Sequence, residues 1–288
     1  MTETVKKGLV ILDVDGVLNP YSNRRFYFQF MRKSLTTLAR LNGIKRPLQT
    51  LKEFKKTGIN GLFVFAKKYC GSDEKFEKYK KELIKELNFD LIPNDPAMKK
   101  MLENLGKHCD ICIRSDGLDD IASAIWKRII NNQSSANIKI EAMRDKDKKP
   151  KTVYLHKTPI IISGIEDNDF NLKKDIKSWE AFSDKYDVDI TKSILIDDSR
   201  NNTNTASLLG MKSIHISKLD SLLKDSQIGS IYNHSLTDVL GKITKNLKRL
   251  KISYGKHVDL SKLLGDLLTK DSENETKNNL QRQTQKLR

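Results

Sequence analysis

Cysteine is scarce. The chain of 288 residues has only Cys70, Cys109 and Cys112, too few and too oddly numbered for a disulfide framework. Cys109 and Cys112 form a C-x-x-C, but it lies inside an apolar run with no second such pair, so it reads as buried strand rather than a zinc or redox site. Histidine offers no metal cluster either: His108, His156, His215, His234 and His257 are scattered without ligand spacing. No apolar stretch approaches the ~20 residues that a bilayer-spanning helix needs, and the amino end reaches its first strand too soon for a secretory leader. The expectation is a cytoplasmic protein with no membrane partner. No internal repeat is apparent. From Asp271 to Arg288 apolar anchors are almost missing, the composition of a disordered tail.

What is present is a globular composition, 38% hydrophobic and 31% charged, in a chain long enough for one large or two modest domains. The formal charge is +16, which suits a polyanionic partner such as nucleic acid or a solvated basic surface. Because the basic residues fall in several separate segments, the surface reading is favoured and nucleic acid stands as the alternative.

One stretch organises the rest. Leu9 to Leu12 is an apolar run that ends abruptly in Asp13-Val14-Asp15-Gly16. In an extended backbone, acids one residue apart point to the same side. A short apolar run followed by glycine reads as a buried strand whose carboxyl end opens into a turn, where open α/β sheets place their ligands. Two acids there need a cation or a proton, so the stretch predicts a Mg²⁺ site with a carboxylate free to act as nucleophile.

Downstream the pattern turns helical. Phe26 to Leu41 predicts a buried helix stopping near Gly43, Gly61 to Ala66 opens a second that ends near Gly71, and Ser72 caps a charged third running to about Leu87. Asp95-Pro96 restarts with a cap and a helix to Gly106. Cys109 to Ile113 is a strand ending in Arg114-Ser115-Asp116-Gly117, followed by a helix from Leu118 to Ile130. Asn137 to Ala142 alternates like a strand, a basic segment from Arg144 to Lys151 reads as a surface insertion, and Pro159 to Ser163 is the preferred third core strand. Ser193 to Ile196 is again apolar and again ends in acids, Asp197-Asp198, before a helix with a Gly210 stop and a last strand from Lys212 to Ile216. Lys242 to Lys256 is basic, and Val258 to Leu264 has the pattern of a short amphipathic helix.

Asp13-Val14-Asp15-Gly16-Val17-Leu18, Ser115, Lys173 and Asp197-Asp198, in that order, resemble the four motifs of the haloacid dehalogenase (HAD) superfamily across most of Gly8 to Leu250. Lys173 lies 25 residues before Asp198, with Asp175 and Trp179 at the family's Asp and aromatic positions and Lys174 in place of the usual Pro. The resemblance implies an α/β fold: a Rossmann-like parallel sheet flanked by helices, residues 1–19 and 96–250, with an inserted all-helical C1-type cap, residues 20–95, and a basic extension, residues 251–288.

It also implies a Mg²⁺-dependent phosphatase acting on a phosphate monoester of a small metabolite or nucleotide. Asp13 is then the nucleophile, and Asp13, the backbone carbonyl of Asp15 and Asp198 hold Mg²⁺, with Asp197 as a direct or supporting acid. Asp15 serves as general acid and base, which phosphoryl transfer needs and dehalogenation does not. Ser115 and Lys173 bind the phosphoryl oxygens. Arg114 reads either as charge near the phosphate or as a side chain reaching out from the sheet edge. Arg24 and Arg25 read as substrate contacts or as surface charges of the cap. The cap pattern is similar to that of nucleotidase-like members, from which Gly16-Val17 departs. Two alternatives remain: a nucleic-acid-binding protein on this scaffold, and a phosphatase acting on nucleic-acid phosphate ends.

Overall fold

Every residue of β1 (Leu9–Leu12) is buried, the condition of a central strand covered on both faces, and that explains its unbroken apolar run. In the computed structural model, which describes residues 8–19, 23–57, 61–144, 151–155, 158–216 and 244, β1 lies between β2 (Asp110–Arg114) and β5 (Ile194–Asp197) and is parallel to both. Val10 stands opposite Ile111 on one side and Ile194 on the other. β4 (Thr158–Ser163) extends the sheet beyond β2 and β6 (Lys212–His215) beyond β5, both parallel to their neighbours. An antiparallel edge strand, β3 (Lys151–Leu155), completes the order β3-β4-β2-β1-β5-β6. The chain leaves β1 toward β2 and later crosses to β5, so strand order reverses between β1 and β5. That is the switch point at which such sheets form a crevice at their carboxyl ends.

Side chains alternate across the strands and sort the core into two layers. Val10, Leu12, Ile113 and Ile196 face one way. Leu9, Ile11, Cys112 and Leu195 face the other, against Trp179 and Phe182. Between β1 and β2 the described residues are helical: α1 (Arg24–Asn42), α2 (Pro47–Lys56), α3 (Leu62–Cys70) and α4 (Asp73–Glu86). Gly43 closes α1 in a left-handed conformation, and the Ser72 hydroxyl accepts from the Lys75 N–H to start α4, as the capping pattern predicts. This insert is tied to the sheet layer by a buried lysine, Lys80, whose Nζ lies 2.6 Å from Glu166 Oε1. The sheet is flanked by α5 (Pro96–Gly106), α6 (Asp119–Asn131), α7 (Ser135–Arg144), α8 (Ile176–Tyr186) and α9 (Arg200–Leu208). No helix among the described residues is long and apolar enough to cross a membrane.

Three sequence expectations change. Asn137 to Ala142 is not a strand but part of α7. A strand would bury Ile138 and Ile140 on one face; here Ile138 is buried and Ile140 is 43% exposed, because residues two apart in a helix point about 200° apart. The end of the basic segment is not surface insertion but β3, whose Val153 and Leu155 are buried while Tyr154 is exposed. α2 was not anticipated, although Pro47 sits at its first turn, where proline is favoured. The basic stretch from Lys242, the amphipathic pattern at Val258 to Leu264 and the polar tail lie outside the described residues, Thr244 excepted.

Gly164, which follows β4, shows how closely the layers meet: a Cβ there would sit 2.4 Å from the Asp119 backbone nitrogen at the start of α6. Gly164→Ala should therefore force α6 away from the sheet at a cost of about 1–3 kcal/mol, lowering the thermal midpoint by several degrees in a melt followed by circular dichroism. An unchanged midpoint would show that the helix moves aside freely.

Candidate active site

The site begins where β1 stops. The Asp13 N–H still donates to the Ile196 carbonyl at 2.9 Å, but the chain then folds back, Gly16 N–H to the Asn19 carbonyl at 2.9 Å and Asn19 N–H to the Val14 carbonyl at 2.8 Å. Gly16 has φ +81°, a left-handed conformation that glycine adopts at no steric cost. This turn leaves Asp13 nearly buried and Asp15 half-buried at the wall of a cleft. β2 ends at the same edge. There the Ser115 hydroxyl accepts from the Gly117 N–H at 2.9 Å, and the Asp116 carboxylate accepts from the Lys173 N–H at 2.8 Å.

Lys173 closes the arrangement. Its side chain is 1% exposed, and its Nζ donates to Asp13 Oδ1 and Asp197 Oδ2, both at 2.6 Å, and to the Arg114 carbonyl at 3.3 Å. The Trp179 indole N–H holds the Lys173 carbonyl at 2.7 Å, which fixes the loop from the layer beneath. Asp197 is fully buried and is further satisfied by the Ser199 N–H at 2.8 Å and the Asn202 amide at 3.1 Å. Asp198 is half-buried and lines the cleft. Asp13, Asp197 and Asp198 bring carboxylate oxygens within 4.8 Å of one another.

Charge is unbalanced here. Asp13, Asp15, Asp116 and Asp198 line the cleft with Lys173, while Lys174 is half-buried at its side. Burial pushes the Asp13 carboxyl well above its ordinary value; Lys173 pulls it back only in part, and Asp197 and Asp15 push it further up. Burial likewise raises Asp15 to about 6, against hydrogen bonding from Tyr27 and the pull of Lys173. For Lys173, burial works against the charge, yet Asp13, Asp197 and Asp116 outweigh it and hold the ammonium above its usual range. Excess carboxylate in a poorly hydrated place is what a hard divalent cation relieves, and the all-oxygen set fits Mg²⁺.

The cleft measures about 400 Å³ and also touches Ser115, so Asp13, Asp15, Ser115, Lys173 and Asp198 meet in one place. Arg114 does not join them. Strand alternation turns it to the opposite face of the sheet, where it is fully buried with its guanidinium 3.8 Å from the Trp179 ring centre and 4.5 Å from that of Phe182. Its Nη2 donates to the Ser178 carbonyl at 2.7 Å, and burial brings it down to about 10. Neither expectation for Arg114 holds: it is not charge beside a phosphate and does not reach out to solvent, and it touches the site only through its carbonyl. Arg24 and Arg25 are exposed at the start of α1 and do not line the cleft. Tyr27 was missed; its hydroxyl donates to the Asn19 carbonyl at 2.6 Å and reaches the Asp15 carboxyl, a contact that no local spacing announces. Asn202 was missed as well, although its place in the first turn of the helix after an acid-tipped strand was a usable signal.

No protein-family profile matches the sequence, and no curated protein matches it. Solved structures do. A putative β-phosphoglucomutase from Thermotoga maritima is 15% identical, with 83% of this chain and 99% of that one covered and a TM-score of 0.44. A HAD hydrolase of family IA, variant 3, from Entamoeba histolytica is 17% identical, with 88% and 99% covered and a TM-score of 0.44. CbbY from Rhodobacter sphaeroides in complex with phosphate is 12% identical, with 81% and 96% covered and a TM-score of 0.45. Likenesses of this depth carry no functional argument.

The raised Asp15 has a sign that can be measured. Its folded-state value, about 6, lies above its ordinary value of 3.8, so the stability it contributes is present below about pH 4 and lost as pH rises through 6. In chelator-treated protein, Asp15→Asn should remove that loss: wild type falls in stability relative to the variant between pH 4 and 7 in urea titrations. Parallel pH profiles would contradict the assignment.

Proposed function

We propose that this protein is a Mg²⁺-dependent phosphohydrolase of the HAD superfamily, hydrolysing a phosphate monoester of a small metabolite or nucleotide through an aspartyl-phosphate on Asp13. The observation that carries this reading is the Lys173 ammonium held between Asp13 and Asp197 at a cleft that Asp15, Ser115 and Asp198 also line.

Lys173 donates to Asp13 Oδ1 and so fixes the carboxylate, whose other oxygen attacks phosphorus in line with the departing alkoxide. Asp15 delivers the proton that the alkoxide needs and afterwards takes one from the water that hydrolyses the aspartyl-phosphate. A value near 6 suits a group that must both hold and release a proton near neutrality. Ser115 binds a phosphoryl oxygen, and the Lys173 ammonium, its N–H bonds directed at Asp13, Asp197 and the Arg114 carbonyl, offsets the phosphoryl charge against the surrounding carboxylates. The carboxylates of Asp13 and Asp198 with the Asp15 carbonyl would hold Mg²⁺. Both oxygens of Asp197 are already engaged by Lys173, Ser199 and Asn202, which favours a supporting place for that residue. When bound, the ion supplies charge stabilisation to the transferring phosphoryl group.

Phosphate release from a panel of monoesters tests the reading. Activity should require Mg²⁺, disappear with EDTA, and fall by roughly 10³-fold or more in Asp13→Asn with the fold intact by circular dichroism. An unchanged rate in that variant, on any ester the wild type cleaves, would refute the nucleophile.

A further inference from the structure

The two halves of the cleft wall differ in chemistry. Its polar lining comes from the loops at the strand ends, which bring Asp15, Ser115 and Lys173, and from the first turn of α9, which brings Asn201 and Asn202. The helical insert adds Phe30 and Met31 from α1 and Leu62 and Phe63 from the start of α3, and among the described residues it brings no charged side chain to the cleft. The rings of Phe30 and Phe63 lie 5.9 Å apart at 56°, and Met31 is left 39% exposed. The Leu172 side chain, next to Lys173, continues this apolar wall.

A phosphoryl group seated at Ser115, beside Lys173, would direct its ester oxygen and the rest of the substrate toward the insert. Sugar hydroxyls placed against Phe30, Met31 and Leu62 would lose water without gaining a hydrogen bond. An apolar or aromatic group would gain from burial and from contact with the two rings. Resting on the phosphatase reading above, we propose that this wall selects phosphate monoesters whose alcohol carries an uncharged apolar or aromatic group, and disfavours hydroxyl-rich sugar phosphates.

The test compares kcat/KM with Mg²⁺ for benzyl phosphate, hexyl phosphate, a nucleoside 5′-monophosphate and glucose 6-phosphate. All four leave as alkoxides, so intrinsic reactivity is matched. Benzyl or hexyl phosphate, or the nucleoside monophosphate, should exceed glucose 6-phosphate by roughly 10-fold or more, the range that hydrophobic pocket contacts supply. A lead for the nucleoside ester identifies the apolar group as a base; a lead for the benzyl or hexyl ester identifies a simpler alcohol. In Met31→Gln, and in Met31→Gln with Leu62→Gln, the ratio should fall several-fold, while Met31→Leu keeps it. A ratio is independent of the fraction of protein that folds. Glucose 6-phosphate cleaved as well as the others, or a ratio unmoved by the glutamines, overturns the proposal and leaves the phosphatase reading standing. No phosphate release from any ester overturns both.

Discussion

An ammonium group with almost no contact with water, shared by two carboxylates, is the interaction on which the rest depends. Lys173 is 160 residues from Asp13 and 24 from Asp197, so it can bridge them only when β1, β2 and β5 lie side by side and in register. None of the three charges tolerates that place alone, because a buried ion without its partner is strongly destabilising. The sheet order, the turn at Gly16 and the loop pinned by Trp179 are conditions for one cluster to form. The same cluster sets the Asp13 carboxylate at the cleft that Asp198 also lines.

Much of this was legible in the chain. Strands covered on both faces are continuously apolar, so carboxylates at their ends stand out, and the runs at Leu9 to Leu12 and Ser193 to Ile196 announced both their burial and their tips. Ser115 and Lys173 were legible only through the order in which they fall between those runs. Other features depend on tertiary placement. Arg114 follows three buried residues of β2, and pairing with the face of Trp179 decides its fate, which no local pattern reports. Tyr27 reaches Asp15 because α1 crosses above the turn. At Asn137 to Ala142 two isoleucines two apart match the period of a strand, and packing that buries Ile138 alone on a helix overrides that local pattern. β3 was hidden because an edge strand buries just alternate residues, here Val153 and Leu155, amid lysines.

The insert and the sheet divide the work. Among the described residues, the charged groups at the cleft come from the loops beyond the strands, and hydrogen bonds hold Asp13, Asp116 and Lys173 in place, the preorganisation that electrostatic catalysis requires. The insert supplies apolar surface, built from α1 and α3, and is anchored by Lys80 on Glu166. On the proposed reading, chemistry and selectivity sit on different parts of the chain.

The central claim is that Lys173 neutralises one side of the carboxylate cluster and that a divalent cation completes the other. Crystals soaked in Mn²⁺, with data collected at the manganese edge, test it directly. The account predicts one anomalous peak bound by the carboxylates of Asp13 and Asp198 at about 2.2 Å, near the octahedral Mg²⁺ distance, with Lys173 still on Asp13 and Asp197. A cleft that stays without a peak at millimolar metal, or a peak that displaces Lys173 from Asp13, would contradict it.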